Sequence, residues 1–188
     1  MCATIPSPQT RTSSPRRIVL TGFMGSGKST VGPLLASRLG WRFVDVDVVI
    51  ETEAGTTIAR LFTQHGESAF RDREEATIAR LAQEDGLVLA LGGGAIERRP
   101  TRDLLLTQPG TLLVHLEVSL ETTIARCAGT EGDRPVLADK NNLEKRFHHR
   151  LPLYRTAHVS IPTDALDPQG VVAAILKCAA LEDRRLEA

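Results

Sequence analysis

The sequence predicts an α/β fold: a mostly parallel sheet covered by helices on both faces. Three observations predict it. Short apolar runs alternate with stretches of helical periodicity from Arg17 onward. Their spacing is that of βαβ units. A glycine-rich loop, "GFMGSGKS" at residues 22–29, joins the first strand to the first helix.

The elements follow in order. Ile18–Leu20 is a short buried strand, and Lys28–Leu39 a helix with Val31, Leu34, Leu35 and Leu39 on one face. Arg42–Val44 is the second strand, followed by a helix starting near Val48. Gly66–Gln83 carries Phe70, Ile78 and Leu81 at helical spacing. Leu87–Leu91, Thr111–Leu116 and His158–Ile161 are the third, fourth and fifth strands. Helices fill 100–107, 119–127, 142–155 and 169–182. Ligands of such sheets gather at the carboxyl ends of the strands, and every chemically suggestive residue below lies there or near a helix start.

Residues 17–183 read as a single domain. The preceding segment 1–16 is rich in Pro, Ser, Thr and Arg, has no acid and no apolar period. It reads as a disordered tail rather than a targeting segment. Between about 128 and 142 the chain turns polar, "AGTEGDRPVLADKNN", which is long for a plain loop and suits a mobile lid.

Composition narrows the function. Lys+Arg and Asp+Glu balance at 23 each, so no overall field draws nucleic acid or an anionic membrane. No apolar run approaches the ~20 residues of a membrane span. Cys2, Cys127 and Cys178 and the five histidines show no disulfide or zinc spacing, which fits a reducing, cytoplasmic compartment. With no broad exposed apolar stripe, the chain reads as a monomer.

The loop at 22–29 matches GxxxxGK[ST] in the strand–loop–helix context that makes it a phosphate loop. Its backbone N–H groups would cradle phosphates at a helix N-terminus. Lys28 would reach the β- and γ-phosphates and the Ser29 hydroxyl would ligate Mg²⁺. A nucleoside triphosphate and Mg²⁺ are therefore expected here. The guanine-reading Asn-Lys-x-Asp of regulatory GTPases is absent, as is the strand-plus-acid signature of ATPase motors. Phosphoryl transfer to a small molecule remains.

Asp45 and Asp47 follow the second strand. Alternation along an extended chain puts both on one side, aimed at one pocket; the competing reading is a helix cap. Arg71, with Glu74 and Glu75 three and four residues on, also fits ordinary helix-surface ion pairs. Arg150, among Lys145, Arg146, His148, His149 and Arg155, also fits a solvated basic face. Arg134 sits inside the lid segment, where it could swing onto a transferring phosphoryl group.

Taken together, "GFMGSGKST", "DVD", "FRDREE", "LGGGA", "DRPVL" and "RLPLYRTA" resemble the shikimate kinase family, in family order and at near-family spacing over about residues 17–180. The resemblance implies a three-layer P-loop kinase fold with a five-stranded parallel sheet ordered 2-3-1-4-5. It also implies transfer of the γ-phosphate of ATP to the 3-hydroxyl of shikimate, with Mg²⁺. By the same resemblance Gly25, Ser26, Gly27, Lys28, Ser29 and Thr30 hold the phosphates, Ser29 and Asp45 the metal, and Arg126 the adenine. Asp47, Arg71, Gly92, Gly93, Gly94 and Arg150 would bind shikimate. Asp47 would be the base, helped by Lys28 and the lid residue Arg134, while Glu74 would pin Arg71. The triple-glycine turn would lie between substrate and γ-phosphate, with the Gly93 N–H donating to a substrate oxygen.

Two departures stand out. Pro33 lies inside the phosphate-loop helix, where a kink or a loosened bond to the Ser29 carbonyl is expected. The late loop "IPTDALDPQG" carries no basic residue, so no adenine contact is assigned to it. The rival readings are another small P-loop kinase, such as a gluconate kinase, and a non-catalytic nucleotide-binding regulator.

Overall fold

The computed structural model describes residues 14–128 and 140–180; the 1–13 part of the expected tail and most of the expected lid, Arg134 included, lie outside the described residues. Five parallel strands, β1 (Arg17–Thr21), β2 (Arg42–Asp45), β3 (Leu87–Ala90), β4 (Thr111–Glu117) and β5 (Val159–Pro162), form one sheet in the order β2-β3-β1-β4-β5. That is the expected order.

Alternation of side chains along the strands divides the core into two layers. Val19, Leu87, Leu89 and Leu113 face one way. They pack with residues of α2 (Val46–Ala54), α3 (Ile58–Leu81), α4 (Arg99–Thr107) and α6 (Lys140–Tyr154). Ile18, Leu20, Val88, Leu112 and Val114 face the other way, against α1 (Lys28–Leu39) and α7 (Pro168–Cys178). The remaining described helix, α5 (Leu120–Cys127), follows β4 beside the phosphate loop, with Ser119 as its cap.

Register matters more for the site than the layers do. Leu20 pairs with Ala90, and Ala90 pairs with Asp45, so three neighbouring strands end at one level. The Leu91 N–H donates to the Leu20 carbonyl at 3.0 Å and carries the pairing one residue beyond β3. The phosphate loop, the triple-glycine turn and the acid pair therefore leave the sheet side by side.

Two expectations about helices need correction. The helix expected from Gly66 starts earlier: α3 begins at Ile58, capped by the Thr57 hydroxyl, and bends at Gly66 (φ 80°, ψ 169°). Ile58, Leu61 and Phe62 carry the missed apolar period. The last helix ends at Cys178 rather than near 182, because Ala180 adopts a left-handed φ of 52°. Separately, α1 runs as one helix through Pro33. Pro33 offers no N–H to the Ser29 carbonyl, yet the loss of one bond is outweighed by packing of Val31, Leu35 and Ala36 in the core. Gly32 lets the helix sit close on β2, since a Cβ there would lie 2.8 Å from the Phe43 Cδ2.

At the opposite end of the sheet, Arg17 is 1% exposed. Its Nε donates to the Glu84 carbonyl (2.8 Å), Nη1 to the Pro109 carbonyl (2.9 Å) and Nη2 to Asp85 (2.8 Å). It thus ties the loops before β3 and β4 to β1. Arg17→Met should leave these carbonyls short of donors and lower unfolding stability by about 1–3 kcal/mol, measurable by urea denaturation; an unchanged midpoint would show that water replaces them without cost.

Candidate active site

Above the carboxyl ends of β1, β2 and β3 lies a cleft of about 820 Å³, a usual size for a small-molecule site. Gly25, Ser26, Gly27, Lys28, Ser29, Thr30, Asp45, Asp47, Arg71, Gly92, Gly93, Gly94, Arg126 and Arg150 all line it. Every sequence-predicted site residue within the described chain is therefore at one place.

The phosphate loop is wound by Gly25 and Gly27, at φ 74° and 95°, a region costly for residues with a Cβ. Gly27 caps α1, so the helix N-terminus opens into the cleft. The Lys28 ammonium folds back on its own loop, donating to the Gly22 carbonyl (2.7 Å) and the Phe23 carbonyl (3.0 Å).

The acid pair is built differently from the sequence reading. β2 ends at Asp45 and the helix begins at Val46, so the two acids do not alternate along one strand. Asp45 is the helix cap: its Oδ1 accepts from the Asp47 N–H at 3.0 Å. The capping alternative is correct for Asp45, and it still leaves Asp45 in the cleft. Asp47 stands in the first turn of α2. Burial, aided by the neighbouring Asp45 charge, lifts its pKa to about 6 against the pull of Lys28 and Arg71.

Both arginines are turned inward. Arg71 donates to Glu74 at 2.7 Å and to Glu67 at 3.3 Å. The expected i,i+3 pair with Glu74 is present, the i,i+4 partner is Glu67 rather than Glu75, and together they hold a guanidinium inside the cleft. Glu74 is 1% exposed; its Oε1 has no hydrogen-bond partner among the described residues, and burial raises its pKa despite Arg71. Arg150 is 7% exposed, which excludes the solvated basic face as its setting. Its Nε donates to Glu97 at 2.7 Å and its guanidinium lies over the Phe23 ring.

The triple-glycine turn sits among these charges. None of its three residues has a positive φ; close approach, rather than dihedral freedom, excludes side chains here. A Cβ on Gly92 would lie 2.8 Å from carboxylate oxygens of both Asp47 and Glu74. A Cβ on Gly94 would lie 2.7 Å from the Arg71 Cζ. Only ordinary contacts meet one on Gly93, at 3.6 Å from Arg150 Nη1 and from the Tyr154 hydroxyl. That hydroxyl donates to the Gly93 carbonyl at 2.6 Å, and the Tyr154 ring stacks on buried His115.

Arg126 bridges two loops, donating to the Gly25 carbonyl (3.1 Å) and the Thr163 carbonyl (2.8 Å). The late loop, lacking a basic residue, thus meets the phosphate loop through its own backbone. Sequence reasoning missed Ile58 and Phe62, which line the cleft from the unrecognised start of α3. Arg146 also lines it, one helical turn before Arg150. Spacing of four residues was the available signal. Tyr154, four residues after Arg150, was missed for the same reason.

The sequence model of one family, shikimate kinase, matches residues 24–180. A shikimate kinase from Persephonella marina (strain DSM 14350 / EX-H1) is 40% identical over 162 residues, covering 86% of this chain and 97% of its own. A solved structure, shikimate kinase from Acinetobacter baumannii in complex with shikimate, aligns with a TM-score of 0.82 at 34% identity, over 95% of this chain and 99% of that one. A gluconokinase from Sinorhizobium meliloti 1021 aligns at a TM-score of 0.56 and 19% identity, covering 92% and 95% of the two chains, a likeness of fold alone.

Steric crowding in the turn makes a prediction that needs no ligand. Gly92→Ala and Gly94→Ala should each lower the melting temperature more than Gly93→Ala, since only the first two force charged side chains to move. Differential scanning calorimetry of the three free variants checks it; Gly93→Ala as the least stable of the three would contradict the geometry.

Proposed function

The chain belongs to the shikimate kinase family, and on that premise we propose that its cleft transfers the γ-phosphate of ATP to the 3-hydroxyl of shikimate. One observation carries the assignment of the site: the buried Arg150, the half-buried Arg71 and a carboxylate of raised pKa converge on bare backbone beside the phosphate loop.

In this reading the N–H groups from Gly25 to Thr30 hold the phosphates at the start of α1. Lys28 leaves the loop carbonyls it now contacts and takes up the β- and γ-phosphates. Arg71 and Arg150 hold the shikimate carboxylate, for which a planar fork of donors is suited. The Gly93 N–H donates to a substrate oxygen, and Gly92 and Gly94 leave room for Asp47, Glu74 and Arg71 to stand beside it. Asp47 accepts the proton of the attacking hydroxyl as its oxygen bonds to the γ-phosphorus and the bond to the β–γ bridging oxygen breaks. Positioning and electrostatics provide the rate, because phosphoryl transfer has a loose transition state. Arg126 borders the adenine side, and Arg134 is assigned to the phosphates from sequence alone.

The residues present fit Mg²⁺. Among the described residues no cluster of three or more His, Cys, Asp or Glu side chains forms a protein cage. Magnesium beside nucleotides takes one or two protein oxygens and fills its shell with phosphate and water. The Ser29 hydroxyl and the Asp45 carboxylate, whose Oδ2 is left over from its cap bond, supply such oxygens. When bound, the ion neutralises charge building on the phosphates.

Among the described residues no helix is long and apolar enough to cross a membrane. Balanced charge and cysteines without disulfide spacing support a monomer in the cytoplasm, with 17–183 as one kinase domain.

A coupled assay of ADP release with and without acceptor tests the function. Shikimate should stimulate release; stimulation by gluconate alone, or by neither, would support the rival kinase or the non-catalytic regulator. Asp47→Asn should lose roughly 10²–10⁴-fold in turnover with its fold intact. Arg150→Ala should weaken shikimate binding and leave ATP binding nearly unchanged. As the base must be ionised, kcat/KM should climb with pH through about 6 and level off above, an acid limb that Asp47→Asn should lack.

A further inference from the structure

We propose that Glu97 is a positioning residue for the acceptor, acting through Arg150. Its carboxylate takes the Nε edge of that guanidinium, so that only the terminal nitrogens are presented to the substrate. The inference rests on the reading in which Arg150 holds the shikimate carboxylate, and adds a residue that lies outside the cleft lining.

Glu97 closes the 3-10 turn Ala95–Glu97 that directly follows the three glycines. Its Oε1 accepts from Arg150 Nε at 2.7 Å, and His149 Nδ1 approaches the same oxygen at 3.6 Å. Arg150 Nη1 meanwhile points towards the turn, 3.6 Å from where a Gly93 Cβ would stand. An Nε bond fixes the plane of a guanidinium while the Nη pair remains able to grip a carboxylate. The Phe23 ring, 6.0 Å from Cζ, bounds the guanidinium on one face.

Charge points the same way. Burial pushes the Glu97 carboxyl up, but the Arg150 hydrogen bond and charge outweigh it, and the group titrates below the usual range. It is ionised wherever the enzyme works. Arg71 also has acids beside it, Glu74 and Glu67, but it meets them through its terminal nitrogens Nη1 and Nη2 rather than through Nε. Each arginine thus has an acid beside it, and two like charges can share one small substrate anion. Because the Glu97 side chain is 30% exposed, water screens the pair. Its removal should therefore disturb the aim of Arg150 more than the stability of the fold.

The test is steady-state kinetics and thermal unfolding of E97A, E97Q, R150A and the double variant E97A/R150A. E97A should raise KM for shikimate about tenfold, the order of one charge-assisted hydrogen bond. KM for ATP should stay within about twofold, and melting should change little. E97Q, which keeps an acceptor oxygen, should recover part of the loss and remains informative if E97A folds poorly. In the R150A background, E97A should have no further effect, because its target is gone. An unchanged shikimate KM in both Glu97 variants, or effects that multiply in the double variant, would overturn the inference and leave the role of Arg150 standing. An unchanged shikimate KM in R150A itself would instead overturn the underlying reading of the pocket, and this inference with it.

Discussion

Leu20, Ala90 and Asp45 lie abreast on three hydrogen-bonded strands, and the rest of the site depends on that alignment. Parallel strands of unequal reach would leave their loops at different heights. Here the pairing continues through the Leu91 N–H to the Leu20 carbonyl, so the glycine turn departs against the phosphate loop with no gap. Order β2-β3-β1 then sets acid pair, bare backbone and phosphate loop in a row. In the proposed reaction a donor phosphate and an acceptor hydroxyl would meet where strand register sets these loops side by side.

Given such closeness, charge has to be managed within a few ångströms. Asp47 feels burial and the Asp45 charge in one direction and Lys28 and Arg71 in the other; burial prevails. Its proton affinity is thereby set between that of an ordinary carboxylate and neutrality, which suits a group that must both lose and accept a proton. Glu74 is more deeply buried and its pKa is also raised. Glu97, at the edge of the cleft, is lowered by Arg150. Depth and partner explain why three carboxylates within one site respond differently.

Much of this was legible in the sequence. Strand positions and the phosphate loop follow from apolar period and glycine spacing, which are local signals; the sheet order came with the resemblance. The resemblance supplied Arg71 and Arg150, whose local patterns fit surface ion pairs equally well. What failed did so for identifiable reasons. Asp45 and Asp47 were read on an extended chain, whereas α2 begins between them; a cap that leaves no break between strand and helix has no spacing signature. Ile58 and Phe62 were lost because Gly66 was taken for a helix start, although its left-handed φ merely bends α3. The three glycines were ascribed to an approaching ligand. Gly92 and Gly94 are already required by Asp47, Glu74 and Arg71, which come from elements distant in sequence.

That last point changes what the turn is. Its bareness makes room for the side chains that do the work, and only Gly93 offers its face to anything else. The helix α6 completes the arrangement, because Arg146, Arg150 and Tyr154 recur every four residues along one side of it. Arg150 is bonded to Glu97 and Tyr154 to the Gly93 carbonyl, so α6 grips the segment 93–97 at both ends. Any displacement of α6 therefore moves a guanidinium and a backbone carbonyl together rather than separately. In the proposed reading, substrate recognition would be a property of that docked pair of elements, because the turn and the arginine are bonded to each other.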